Sequence, residues 1–164
     1  MKFIVAVDES WGFSKNQKIP WDYPEDFQFF KNQTQDSICV MGYNTFKELA
    51  EMRNYPQKNK MLLPKRRCIV LTSHLIQKNE DITVVNSWLD IEQKHQEKEI
   101  YWIGGKSIYD HALTVCSEGW ITRIKHNYQC DQFFDYSTLQ EHFFCDLILK
   151  ENQDLRFEHW VRKT

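Results

Sequence analysis

The chain of 164 residues is long enough for one sizeable hydrophobic core, and no linker rich in Gly, Ser or Pro divides it. Its 21 Lys and Arg against 23 Asp and Glu give a formal charge of -2, which excludes a general positive field for nucleic acid. We therefore expect one domain over residues 1–164, with any anion-binding site confined to a local patch.

The first residues and the cysteines indicate the compartment. The apolar run in MKFIVAVDES is too short for a signal peptide, and no later run is long enough to span a bilayer. The five cysteines are odd in number and lack a C-x-x-C pair, so neither a disulfide framework nor a metal site is expected. The sequence favours a cytoplasmic protein with free thiols.

Short apolar runs alternate with segments of helical spacing along the first two thirds of the chain. The predicted strands are KFIVAV (2–7), SICVMG (37–42), RCIVLTS (67–73), ITVVN (82–86) and EIYWIGG (99–105). The predicted helices cover 25–33, 44–52, 88–97 and 107–115. Nearly continuous apolarity is typical of parallel strands buried on both faces, which indicates an α/β fold. The last third alternates apolar and polar residues, which predicts an antiparallel end to the sheet.

The segment MRNYPQKNKMLLPKRR (52–67) is basic and loop-like. No aromatic platform is interleaved with its charges, so we interpret it as a solvated connection rather than a nucleic-acid contact.

The stretch PEDFQFF places a carboxylate, Asp26, among aromatic rings at the start of a predicted helix. Pro24 suits the first helical turn, and an exposed acid there would complement the helix dipole. Alternatively, the rings of Phe27, Phe29 and Phe30 flank the carboxylate in a pocket. A carboxylate against apolar surface is costly without a partner, so in that case it would bind a ligand.

Glycines follow two predicted strands where helices begin. Gly104 and Gly105 precede one helix, and Gly42 precedes another that starts with Asn44 and Thr45. These junctions suit a ligand's phosphates, although a tight turn and ordinary helix capping explain them equally well. If both junctions lie at one edge of the sheet, they would share a crevice that can hold a dinucleotide.

Together these motifs resemble the dihydrofolate reductase family over the whole chain. The matching stretches, in the family's order, are IVAVDESWGFSKNQKIPW, PEDFQFFKNQT, VMGYNTF, LLPKRRCIVLTS, IYWIGGKSIYDHAL and ITRI. The resemblance implies a central, mostly parallel sheet of about eight strands with an antiparallel C-terminal edge, flanked by helices. It also implies a monomer that reduces 7,8-dihydrofolate with NADPH and is inhibited by antifolates such as methotrexate or trimethoprim.

The resemblance assigns a substrate pocket. Asp26 matches the acid that holds the pterin ring, Thr122 matches its hydrogen-bond partner, and Trp21 matches a tryptophan that orders a water. Arg66 matches the arginine that binds the α-carboxylate of folate's glutamate. The matching wall residues are Ile4, Val5, Phe27, Phe30 and Ile103. The implied catalytic group is Asp26, Trp21, Thr122 and Tyr109.

The resemblance also assigns cofactor contacts. The residues matched to the nicotinamide end are Ala6, Ile19 and Tyr109, and Ile103 is also matched to the cofactor. The residues matched to the pyrophosphate are Gly42, Asn44, Thr45, Gly104, Gly105, Lys106, Ser107 and Ile108. The residues matched to the 2'-phosphate are Thr72, Ser73 and His74. Residues 11–21 match a mobile loop that closes over the nicotinamide, and the Gly104–Gly105 peptide bond is expected to be cis.

Three positions depart from the family's pattern. Tyr43 replaces the usual arginine, Ser14 replaces a usual glycine, and residues 51–62 resemble an insertion. Two rival functions share parts of the pattern: a pyrimidine reductase of riboflavin biosynthesis, and a non-catalytic protein that binds folate or nucleotide. Asp26 with its aromatic neighbours and Arg66 favours folate over the first, and the retained Trp21, Asp26 and Thr122 argue against the second.

Overall fold

The computed structural model describes residues 1–57, 60–94 and 98–164. The strands in these residues are β1 Lys2–Val7, β2 Gly12–Ser14, β3 Ile38–Gly42, β4 Arg67–Leu71, β5 Ile82–Val85, β6 Ile100–Trp102, β7 Glu118–Ile124, β8 Gln132–Phe133, β9 Phe143–Glu151 and β10 Leu155–Arg162. The helices are α1 Pro24–Thr34, α2 Tyr43–Arg53, α3 Trp88–Lys94, α4 Lys106–Val115 and α5 Tyr136–His142.

Eight strands form one sheet in the order β5-β4-β3-β6-β1-β7-β10-β9. The neighbours from β5 to β7 are parallel, whereas β10 runs antiparallel to both β7 and β9. The α/β expectation and the antiparallel C-terminal edge are therefore confirmed. Strands β2 and β8 pair separately as a small antiparallel sheet.

The parallel strands are apolar because side chains cover both of their faces. In β3, Cys39, Val40 and Met41 are all fully buried, although successive side chains point to opposite faces. Val40 belongs to the core on one side of the sheet, whereas Cys39 and Met41 belong to the core on the other side. The continuous apolar runs of the sequence thus reflect two cores that share one sheet.

Most predicted boundaries agree with the structure to within one residue. The strand expected over 67–73 ends at Leu71. The strand expected over 99–105 ends at Trp102, because the chain turns through Gly104, at φ +115, into α4. The helix expected over 88–97 is present as Trp88–Lys94, and residues 95–97 lie outside the described part. The short strands β2 and β8 and the helix α5 were not predicted.

The basic segment 52–67 is only partly a solvated connection. Its charged residues other than Arg66 are exposed where described, but Tyr55, Leu62 and Leu63 are buried. The Tyr55 hydroxyl donates to Asp81 at 2.9 Å, and the Leu62 amide donates to the same carboxylate at 2.8 Å. The proposed insertion at 51–62 therefore attaches to the body of the protein, although residues 58 and 59 fall outside the described range.

None of the described helices has both the length and the apolar character needed to cross a bilayer.

Candidate active site

Two adjoining cavities open at the carboxyl ends of the parallel strands, of about 540 Å³ and about 240 Å³. Helices α2 and α4 begin directly after β3 and β6 at this edge, which is where ligands bind in open α/β sheets. The residues that line both cavities are Ala6, Ile19, Thr45, Glu48, Ile103 and Tyr109. We call this shared boundary the seam.

Asp26 lies in the wall of the larger cavity. It occupies the first turn of α1, and only 8 % of its surface is exposed. This placement excludes the alternative of an exposed acid at the helix start. Burial raises the pKa of Asp26 to about 6, while a hydrogen bond with Thr122 lowers it and the charge of Glu25 raises it. The cavity therefore contains a carboxyl group that can gain or lose a proton near neutral pH.

Thr122 reaches this carboxyl group from the sheet. It lies on β7, opposite Ala6 of β1 in the parallel register, and is 2 % exposed. A buried hydroxyl needs a hydrogen-bond partner, and Asp26 provides it.

Arg66 is a buried cation that lines the same cavity. Its Nε donates to the Pro64 carbonyl and one terminal nitrogen to the Thr34 hydroxyl, both at 3.0 Å. The guanidinium lies 5.8 Å from the centre of the Phe30 ring, and burial lowers its pKa. No carboxylate among the described residues forms an ion pair with Arg66. A buried cation without an acid favours an anionic ligand.

Every residue matched to the substrate lines the larger cavity. These are Ile4, Val5, Asp26, Phe27, Phe30, Arg66, Ile103 and Thr122. The wall is mostly apolar, and Asp26 and Arg66 are the most buried of its charged residues, which suits a flat ring joined to an anionic tail.

The residues matched to the cofactor divide into two groups. Those that line the smaller cavity are Ala6, Ile19, Asn44, Thr45, Ile103, Gly104, Gly105, Lys106 and Tyr109. Those that do not line it are Gly42, Thr72, Ser73, His74, Ser107 and Ile108. The Ile108 side chain is fully buried in the core, so a ligand could meet only its backbone.

Two helix starts frame the smaller cavity without side-chain caps. Gly42 precedes α2 and Gly105 precedes α4, and neither helix has a side-chain hydrogen bond at its N-cap. Asn44 and Thr45 therefore do not act as the N-cap of α2. The Gly42 amide donates to the Gly104 carbonyl at 2.8 Å, which brings the two junctions together. The Gly104–Gly105 peptide bond is cis, as predicted. Free amide groups at adjoining helix starts are suited to an anion.

Tyr109 and Trp21 occupy the smaller cavity in different ways. The Tyr109 hydroxyl lies 3.1 Å from the Ile4 carbonyl and 2.9 Å from the Ile103 carbonyl, and burial raises its pKa. Its hydroxyl therefore holds β1 close to the end of β6, and the residue lines both cavities. The Trp21 Nε1 is buried and has no hydrogen-bond partner among the described residues.

The three residues matched to the 2'-phosphate lie just beyond β4. Thr72 Oγ1 lies 3.1 Å from His74 Nδ1 and accepts a hydrogen bond from the His74 amide at 2.9 Å. The His74 ring stacks on Tyr43, with centroids 4.1 Å apart and planes 9° apart. Tyr43, which stands where the family usually has arginine, thus contributes an aromatic ring stacked on His74 instead of a cation.

The sequence interpretation missed Glu48, an acid that lies at the seam. A signal was present: Thr45, Glu48, Leu49 and Met52 recur at helical spacing on α2, and all four line the larger cavity.

Comparisons with known proteins identify the family of the chain and a solved structure with a similar fold. The sequence model of the dihydrofolate reductase family matches residues 1–160, and the chain belongs to this family. The solved structure of dihydrofolate reductase from Enterococcus faecalis, complexed with NADP(H) and RAB-propyl, is similar with a TM-score of 0.77 and 26 % identity. That similarity covers 99 % of this chain and 96 % of the other.

Two curated relatives differ in how much of their own length is matched. Dihydrofolate reductase type 9 of Escherichia coli is 27 % identical over 173 residues, covering 98 % of this chain and 92 % of the relative. The segregation and condensation protein A of Mycoplasma pneumoniae is 32 % identical over 128 residues, covering 78 % of this chain. The aligned region spans only 24 % of that longer relative.

Proposed function

We propose that the chain is an NADPH-dependent dihydrofolate reductase that converts 7,8-dihydrofolate to tetrahydrofolate. One observation carries this proposal: a buried carboxyl group and a buried guanidinium without an ion-pair partner among the described residues line one apolar cavity. That cavity adjoins a second one, which two helix starts without side-chain caps frame. The acid suits the pterin, the guanidinium suits the glutamate carboxylate, and the helix starts suit the pyrophosphate.

In this proposal Asp26 binds and polarises the substrate. Its carboxylate accepts hydrogen bonds from the pterin's amino group and neighbouring ring nitrogen, and Thr122 keeps it oriented. The buried Trp21 N–H holds a water that delivers a proton to the ring nitrogen next to the reacting carbon. The aromatic walls and the Arg66 clamp fix the pterin in near-attack geometry.

The smaller cavity fits NADPH by its own chemistry. The first amide groups of α2 and α4 are donors for the pyrophosphate, Asn44, Thr45 and Lys106 add side-chain donors, and Tyr109 lines the cavity beside the nicotinamide. When bound, NADPH supplies the hydride for the reduction.

The proposal extends to the setting of the enzyme. We place residues 1–164 in one domain of a cytoplasmic monomer that supports thymidylate synthesis and one-carbon metabolism. Methotrexate and trimethoprim are its expected inhibitors, because each carries a basic, planar ring that can pair with Asp26.

A spectrophotometric assay tests the proposal against its rivals. The near-ultraviolet absorbance of NADPH should fall when dihydrofolate is added, and methotrexate should stop the fall. Consumption of NADPH with a ribosylated aminopyrimidine instead would favour the pyrimidine reductase. Binding of methotrexate without any turnover would favour the non-catalytic protein.

A further inference from the structure

Glu48 is the only charged residue of the six that line the seam. It lies on α2, one turn after Thr45, and is half-buried. A half-buried acid beside two ligand cavities loses hydration, and burial raises the pKa of Glu48. Its carboxylate therefore needs a compensating partner.

That partner is the loop between β2 and α1. The Ile19 amide donates to Glu48 Oε2 at 2.8 Å, and the Lys18 ammonium adds an electrostatic attraction that lowers the pKa of Glu48. Both contacts come from a single stretch of loop, and they join it to a helix that begins at the smaller cavity. A backbone N–H bound to a carboxylate is among the stronger hydrogen bonds in proteins.

The loop tip needs such a contact because little else holds it. Residues 15–19 are all exposed, and the tip closes on itself through Lys15 and Lys18, whose amide and carbonyl groups pair at 2.8 and 3.0 Å. Apart from the adjoining Ser14 hydroxyl of β2, which donates to the Lys18 carbonyl at 3.3 Å, only two hydrogen bonds among the described residues tie residues 15–20 to other elements. One joins Asn16 to Asp131 at 2.9 Å, and the other joins Ile19 to Glu48.

The two tethers hold different parts of the loop. Asp131 lies beside the small β2–β8 sheet and holds the far side of the turn. Glu48 holds the side that reaches the seam, where the Ile19 side chain borders both cavities although it is 41 % exposed. Without Glu48, the Asp131 tether would leave Ile19 free to move away from the seam.

We propose that Glu48 is a positioning residue that latches residues 15–20 to α2 and so holds Ile19 over the boundary between the two bound ligands. This inference rests on the proposed function, since the seam is where the reacting rings of cofactor and substrate would meet. A closed loop keeps water out and holds those rings in near-attack geometry.

Two substitutions and a matched control test whether the contact between Glu48 and Ile19 holds the loop. Glu48→Ala removes the acceptor, whereas Glu48→Gln keeps a carbonyl that can accept from the Ile19 amide. Glu51→Ala removes another acid from the same helix, at an exposed position that lines neither cavity. Thermal unfolding of the three variants establishes that each is folded.

The first readout does not depend on the reaction. Trypsin cuts after Lys15 and Lys18, so its rate at these sites reports how often the loop opens. Glu48→Ala should raise cleavage there by about tenfold, while Glu48→Gln and Glu51→Ala should stay within about threefold of the wild type. Unchanged cleavage in Glu48→Ala would refute the claim that Glu48 holds the loop, whatever the activity of the enzyme.

The second readout is the single-turnover rate of NADPH oxidation with saturating dihydrofolate. Glu48→Ala should lower it by about tenfold, Glu48→Gln should restore most of the loss, and the KM for dihydrofolate should change little. Faster cleavage without a slower turnover would overturn the positioning role. If the wild type does not reduce dihydrofolate but the cleavage pattern is as expected, the proposed function is refuted. The role of Glu48 in holding the loop is then still supported.

Discussion

Asp26→Asn should make the protein more stable at neutral pH while removing most of its activity. Burial raises the pKa of Asp26 from 3.8 to about 6, which corresponds to about 3 kcal/mol of free energy. The raised pKa means that the folded state favours the protonated form. The contribution of protonated Asp26 to the stability of the fold is therefore complete below pH 3.8 and is lost as the pH rises through about 6. Asparagine has no such ionisation.

The measurement is urea unfolding of both proteins without ligands, followed by tryptophan fluorescence. The difference in unfolding free energy between variant and wild type should shift in favour of the variant by up to about 3 kcal/mol between about pH 4 and about pH 7. Any constant packing cost of the amide cancels in this comparison. A difference that is the same at both pH values would refute the assignment of a buried, destabilised carboxylate.

The same variant should lose turnover of dihydrofolate by about 10²-fold to 10⁴-fold, the usual effect of removing a positioned acid–base group. Its fold should be retained, so NADPH should still bind. A rate near that of the wild type at neutral pH would show that Asp26 does not hold the pterin.

Three further substitutions test the other parts of the site. Arg66→Leu should weaken folate binding by about tenfold to hundredfold but leave binding of a pterin without the glutamate largely unchanged, as calorimetry would show. Equal losses would indicate a folding defect. Tyr43→Arg breaks the stack on His74 and adds a cation, so it should strengthen NADPH binding over NADH binding by about 1 kcal/mol, and salt should erode the gain. Titrating both cofactors at two salt concentrations decides this, and an equal change for both would mean that Tyr43 does not face the phosphate. Gly42→Ala would place its Cβ 3.5 Å from Ile108, an ordinary contact, so unfolding by urea should change by less than about 1 kcal/mol. The added methyl group should nevertheless obstruct the helix start and weaken NADPH binding by about tenfold; unchanged affinity would remove the pyrophosphate from this junction.

The sequence predicted the parts of the fold that follow from local pattern. The buried strands β1, β3 and β4 show nearly continuous apolar runs, and α1 begins at a proline followed by two acids. The resemblance then placed Asp26, Thr122 and Arg66, and the structure brings all three to one cavity. The fold predictions succeeded because strands buried on both faces have continuous apolar runs and a helix start favours proline and acids.

The features that were missed depend on contacts between distant parts of the chain. Strands β2 and β8 have three and two residues, too few to show a period. Helix α5 did carry a signal, since Asp135 accepts a hydrogen bond from the Thr138 amide at its start, but the alternating residues around it indicated a strand. The contact between Glu48 and Ile19 joins a helix to a loop 29 positions away, and no local pattern encodes it.

The most direct test of the central claim follows the hydride. Wild-type protein is mixed with dihydrofolate and NADPH that carries deuterium at the transferable position of its nicotinamide ring, and the folate product is analysed by mass spectrometry. The proposed function predicts tetrahydrofolate that contains the deuterium, in an amount equal to the NADPH consumed. Tetrahydrofolate without the label, or tight binding of both ligands with no product, would contradict it.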